Sequence, residues 1–200
     1  MEPFVYPDAA HERRHGPIGY SQHESYRPWL RDDFTFRCVY CLARERWHKG
    51  HYGFQVDHLI PKAEAPTRAL KYGNLVYACE ACNKMKSDAD GIPDPCAVAY
   101  RDCLKVHENG SIVALNAEGQ MLVAVLRLDN AENTEFRRLT FEVISLARTR
   151  DPAIYAQLMG LPEDLPDLTR KRPPGGNSRP EGIEESWRAR RARKELPEIC

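Results

Sequence analysis

Two Cys-x2-Cys pairs, Cys38-Val39-Tyr40-Cys41 and Cys79-Glu80-Ala81-Cys82, are separated by 37 residues. Each tight turn offers two thiolates, and two such turns together complete the tetrahedral sulfur site that Zn²⁺ favours. Four protein ligands leave no open position, so the zinc expected at Cys38, Cys41, Cys79 and Cys82 is structural. It ties the start of a small module to its end and supplies folding free energy that so short a unit lacks. His48 and His51 are the substitute ligands in the interval, and redox pairs or buried free thiols are the other readings of such spacing. Between the knuckles stand Asp57-His58 and Gly73-Asn74, and the second knuckle runs on as Asn83-Lys84-Met85-Lys86. A neutral imidazole takes a proton from water near neutral pH. Carboxylate oxygen beside it suits a hard divalent cation. Taken singly, these residues read as a surface charge, a core histidine, a turn asparagine and a solvated lysine face; their ordered set between two knuckles points to a site.

The order Cys-x2-Cys, then Asp57-His58-Leu59-Ile60-Pro61, then Asn74-Leu75-Val76, then Cys79-x2-Cys82-Asn83-x-x-Lys86 resembles the HNH endonuclease family. The resemblance covers about a quarter of the chain. It implies a ββα-metal fold, with the His ending one strand, the Asn opening the next and the last motif residue on the helix. It implies hydrolysis of a DNA phosphodiester, with His58 activating water. Asp57 and Asn83 would hold a catalytic divalent metal, Asn74 would pin the loop that presents His58, and Lys86, Lys84 and Lys62 would contact phosphate. At the third motif position Asn83 stands in place of a His. Its amide oxygen suits Mg²⁺, or Mn²⁺, better than zinc. One such site cuts one strand, so a double-strand break needs a homodimer or two events.

The elements must bring these groups together. Phe54-Gln55-Val56 alternates apolar and polar residues as a short strand does, Leu75–Ala78 forms a second, and Ala81–Ser87 a short helix. Adjacent strand residues point to opposite faces, so Asp57 and His58 share a site only where the strand is ending. Gly91–Pro95 closes the unit as a turn. Beyond it, Cys96–His107 reads as a helix. Ser111–Leu115 and Gln120–Leu128 read as a β-hairpin around Asn116–Gly119. Thr134 reads as the cap of a helix running to Arg150, with Phe136, Leu139, Val143, Leu146 and Ala147 on its apolar face. Pro152–Gly160 adds a last helical stretch.

The fold class expected is therefore α+β: a zinc-stapled HNH module at 27–95, a helix–hairpin–helix accessory region at 96–160, and flanks without fixed structure. Residues 1–26, rich in Pro, Gly, His and Tyr, read as a loosely ordered lead-in. Residues 161–200, rich in Pro, Gly, Arg and Glu, read as a mobile charged tail with a short helix at Glu184–Lys194. Tyr26–Phe36 is expected to pack against the module. Tyr40 is expected in its core, with Trp47, Tyr52 and Tyr72 open to core or base-stacking roles.

The formal net charge of zero gives no support by itself to nucleic-acid binding. Its distribution is less even, with net +3 over residues 27–90, −5 over 91–169 and +6 over 170–194. Seven cysteines, an odd number, and no basic-then-apolar start argue against a secreted disulfide framework and for a cytoplasmic protein with reduced thiols. Cys96, Cys103 and Cys200 have no paired spacing and read as core or incidental cysteines. No apolar run is long enough for a membrane helix. Two rivals remain: a non-catalytic zinc module that binds nucleic acid, which has no need of Asp57, His58 and Asn83, and a protein-interaction scaffold.

Overall fold

The computed structural model describes residues 2–196 and 199. Strand β1 (Phe54–His58) pairs antiparallel with β2 (Leu75–Cys79), in a register that sets Phe54 opposite Cys79 and His58 opposite Leu75. Helix α2 (Glu80–Lys86) leaves β2 directly and packs back on both strands. This is the ββα arrangement expected for the cysteine-bounded module. Every residue of β2 is buried, because helix α1 (Arg27–Asp33) also packs on the pair. Inside the layer, the Arg31 guanidinium reaches both Glu45 carboxylate oxygens, at 2.9 and 2.8 Å, and Tyr77 donates to the same carboxylate at 2.6 Å. A buried charge needs such full pairing to be tolerated.

The accessory region departs from expectation. After α3 (Tyr100–Cys103), strands β3 (Leu104–Val106) and β4 (Ile112–Ala114) form the hairpin, turning at Asn109-Gly110. Gln120–Leu128, expected as a strand, lies almost wholly in helix α4 (Ala117–Leu126). Asn116 caps that helix by accepting from Gly119 N, and Leu122 and Leu126, one turn apart, fill the core. Gly119 is required here, since a Cβ would lie 2.0 Å from the Cys103 carbonyl oxygen. The apolar run 121–126 satisfies both periods, and the cap decided for helix.

Helix α5 (Ala131–Arg150) is capped by Asn130, four residues earlier than the Thr134 expected, and α6 (Pro152–Met159) follows under an Asp151 cap. The face α5 buries matches the expected one only at Ala147. Arg137, Ile144 and Ala147 are buried, whereas Phe136, Leu139, Val143 and Leu146 are exposed. Arg137 holds the helix to the hairpin by donating to Gly110 O at 2.6 Å and Leu128 O at 2.7 Å.

Neither flank is loose. Phe4, Tyr6 and His15 are buried at one end of the chain, and Leu165 and Leu168 near the other. The flanks meet: Pro17 and Asn177 form a β-bridge, Ile18 N donates to Gly176 O and Gly175 N to Ile18 O. Helix α7 (Trp187–Ala192) docks on α1, with Trp187 N and Nε1 donating to Asp32 at 2.9 and 3.0 Å. The mobile tail and loose lead-in expected from composition are thus corrected: each supplies the hydrogen-bond partners the other lacks locally. Cys103 is buried and Cys96 half-buried; Cys200 lies outside the described residues. Among the described residues, no helix is long and apolar enough to cross a membrane.

Candidate active site

The knuckles converge as their spacing requires. The Sγ atoms of Cys38, Cys41, Cys79 and Cys82 all lie within 4.8 Å of one another, and Cys41 and Cys79 approach to 3.7 Å. Four sulfurs around one zinc at ~2.3 Å stand roughly 3.8 Å apart, so the cluster fits the ion. Hydrogen bonds among the sulfurs push the Cys82 thiol up and the Cys79 thiol down. A cation at their centre would take the place of those bonds. His48 and His51, the substitute ligands, are not in the cluster. His48 packs on Phe54, and His51 bonds Asp164.

Because Cys79 ends β2 and Cys82 lies on α2, the cluster fixes the helix against the strand pair. That fixes what α2 presents to the end of β1. Asp57, His58 and Asn83 line one polar cleft of about 520 Å³, with His23, Gln55 and Lys62 among its other walls. His58 is the last residue of β1, where the alternation of faces lapses. The loop beyond it is clamped by Asn74, whose amide accepts from Ile60 N at 2.9 Å and donates to Ile60 O at 3.0 Å.

His58 keeps 9% of its surface open while its Nε2 meets the Ala69 carbonyl at 2.9 Å. A carbonyl only accepts, so Nε2 carries the proton and Nδ1 keeps a lone pair. Burial, with His23 and the Lys62 and Lys86 ammonium groups, lowers this imidazole to about 4, so it is neutral at ordinary pH. Asp57 is buried, and desolvation raises its carboxyl above the usual range. Tyr40 donates to one of its oxygens at 2.7 Å, and the Lys86 ammonium stands 3.4 Å from the other. Asn83 donates from Nδ2 to Gln55 Oε1, which leaves its own carbonyl oxygen for another partner. A desolvated carboxylate and an amide oxygen on one cleft are hard oxygen donors, and this pair fits a divalent cation of the Mg²⁺ class.

The three lysines part company. Lys62 is exposed on the cleft wall and Lys84 is exposed on α2. Lys86, expected at the phosphate, is 1% exposed and donates to the His58 carbonyl at 2.6 Å. It shares the inward face of α2 with Cys82, four residues earlier, and braces the Asp57–His58 backbone from behind instead of facing solvent. Among the aromatics, Tyr40 and Tyr72 are buried, Trp47 donates to Leu158 O at 2.9 Å, and Tyr52 alone of the four is largely exposed.

His23 belongs to no motif and went unread in the sequence. Its ring centroid lies 4.7 Å from that of His58. Its Nε2 bonds Glu24 at 2.9 Å and its Nδ1 lies 3.4 Å from Lys62 Nζ. With Nε2 donating to the carboxylate, Nδ1 accepts from the ammonium, so one imidazole both flanks His58 and holds Lys62 at the cleft. A second cavity of about 420 Å³, lined by Tyr6, Phe34, Leu42 and Tyr100 among others, is apolar and contains none of Asp57, His58 and Asn83.

Comparison with known proteins agrees with this geometry. The family model for HNH endonuclease matches residues 38–89, the interval from the first knuckle to just past α2. The chain carries an HNH endonuclease domain. The chain is also 33% identical over 124 residues to the CRISPR-associated endonuclease Cas9 of Actinomyces naeslundii, a match covering 61% of this chain and 10% of that protein. The chain thus spans about a tenth of the relative's length. The aligned stretch is longer than the HNH match, so similarity extends beyond the HNH domain itself.

Proposed function

We propose that the HNH domain hydrolyses DNA phosphodiester bonds in a divalent-metal-dependent reaction, with His58 as general base. The observation that carries this reading is the meeting of Asp57, His58 and Asn83 in one open polar cleft, behind which the sulfur cluster fixes α2. His58 presents a neutral imidazole whose Nδ1 lone pair is free to take the proton of an attacking water, while the Ala69 carbonyl fixes the tautomer through Nε2. Asp57 and Asn83 would hold the divalent cation, which when bound neutralises phosphate charge and stabilises the departing oxygen. Lys62, oriented by His23, would contact a non-bridging phosphate oxygen, and Lys84 the flanking backbone. Asn74 keeps the loop after His58 from drifting. The four cysteines would hold a structural zinc.

One observation favours a second reading, a zinc module that binds nucleic acid without cutting it. Both Asp57 oxygens already have protein partners in Tyr40 and Lys86. A plasmid-nicking assay with Mg²⁺ or Mn²⁺ separates the two. The nuclease reading expects supercoiled DNA to become nicked, with His58→Ala and Asn83→Ala each slowed by about 10²-fold or more while DNA binding persists. Binding without nicking by the unmodified, zinc-loaded chain would support the second reading instead.

A further inference from the structure

The inward face of α5 is spent on Arg137, Ile144 and Ala147, and its outward face is unusually ordered for solvent. Phe136, Leu139, Val143 and Leu146 are 37%, 45%, 51% and 61% exposed. Phe136 also leans on Phe4, at 6.3 Å between rings, and the other three project away from the core. The same face carries the exposed Glu132 before them and the exposed Arg150 after them. The six residues follow one another at steps of four, three, four, three and four. That is the 3.5-residue seam of a coiled coil.

The seam has a further property. Reflected about Phe141, Glu132 exchanges with Arg150, Phe136 with Leu146, and Leu139 with Val143. A face that maps onto itself with charges inverted is complementary to a second copy of itself in antiparallel orientation, the requirement for a two-fold interface. Neither Glu132 nor Arg150 has an ion-pair partner among the described residues. On the flank beside the seam Arg138 pairs within the helix with both Glu135 and Glu142 and offsets one of their two negative charges.

We propose that α5 is a homodimerisation helix: two copies of this chain pair antiparallel along Phe136, Leu139, Val143 and Leu146, with Glu132 of each meeting Arg150 of the other. The association does not depend on the nuclease reading. If both hold, the dimer supplies the two sites that cutting both strands requires.

Sedimentation equilibrium of the full, zinc-loaded chain tests the pairing without reference to activity. A monomer–dimer equilibrium in the micromolar range is expected. Leu139→Glu combined with Val143→Glu should leave a folded monomer, with unchanged circular dichroism and zinc content. Glu132→Arg and Arg150→Glu should each weaken the dimer by about tenfold, and the two together should restore it, because antiparallel pairing regains opposite charges. These two positions are exposed, so the charge exchange reads the interface even if the apolar double variant does not fold. A chain that stays monomeric into the high micromolar range overturns the proposal, as does a dimer indifferent to Leu139→Glu/Val143→Glu. So does a double charge exchange that fails to restore the dimer, or capture of a different protein by the stripe of a monomeric chain.

Discussion

Lys86 and Lys84 sit two residues apart on α2, carry the same charge, and do opposite things. The ammonium of Lys86 is enclosed with the Asp57 carboxylate and the His58 carbonyl, so deleting it strands a buried anion. Lys86→Met is expected to cost about 3–5 kcal/mol in chemical denaturation. Lys84→Ala, at an exposed position, should stay within roughly 0.5 kcal/mol of the unmodified chain. Equal effects would mean that Lys86 turns outward in solution. Asp57, His58, Asn74 and Asn83 were legible in the sequence because the motif is ordered and local. The direction of Lys86 was misread as facing phosphate, although Cys82 must face the sulfur cluster and the residue one turn later shares its face. His23 was not legible, because nothing local distinguishes it; a turn at His23–Tyr26 brings it to His58 from 35 residues away. If it orients Lys62 and the base, His23→Ala should slow single-turnover nicking by about tenfold while leaving the denaturation midpoint nearly unchanged. An unaltered rate would reduce it to packing.

At the scale of elements, the module depends on its sulfur cluster in a way that the accessory region does not. α2 has seven residues, too few for a helix to hold alone, and its placement rests on Cys79 and Cys82 at its start. Removing zinc with a strong chelator, or replacing Cys82 by Ser, should abolish nicking and release the β1–β2–α2 unit to fast hydrogen exchange. The amides of α5 should stay protected for longer, since Arg137 anchors that helix to the hairpin turn and to Leu128. Simultaneous loss of protection in both regions would show one cooperative unit. In the accessory region the strands at 104–106 and 112–114 sat within a run read as helix and a segment read as strand, and α4 within a run read as strand. Short apolar runs fit either period, and only the contacts of Gly119 and the cap of Asn116 discriminate. Gly119→Ala tests that contact: its Cβ would be driven onto the Cys103 carbonyl, at an expected cost of about 3 kcal/mol in chemical denaturation. A neutral substitution would mean that α4 and β3 are less closely apposed than the structure has them.

For the molecule as a whole, composition misled where partners are distant in sequence. Residues 161–196 look too charged and too rich in Pro and Gly to bury anything, and so does the stretch before residue 27. Neither folds on local information. Yet His15, almost wholly buried, bonds Asp32 at 2.8 Å, and the same aspartate receives the Trp187 backbone from the other end of the chain. α1 is thus gripped by both flanks, and α1 in turn supports β2 and leads in from the turn that carries His23. Leu165 and Leu168, in the C-terminal segment, are buried to 5% and 1% exposure. Their burial contributes roughly 3–6 kcal/mol together, comparable with the whole stability margin of many domains. Ending the chain at Gly160 is therefore expected to lower the denaturation midpoint sharply. It should also expose the amides around Pro17 and α1 to exchange. The cleft takes no wall from beyond residue 160, so nicking should survive at temperatures where the shortened chain stays folded. A shortened chain as stable as the full one would place the C-terminal segment outside the cooperative fold. Intact stability with lost nicking would assign that segment to the substrate, where its net positive charge over residues 170–194 would meet the DNA backbone.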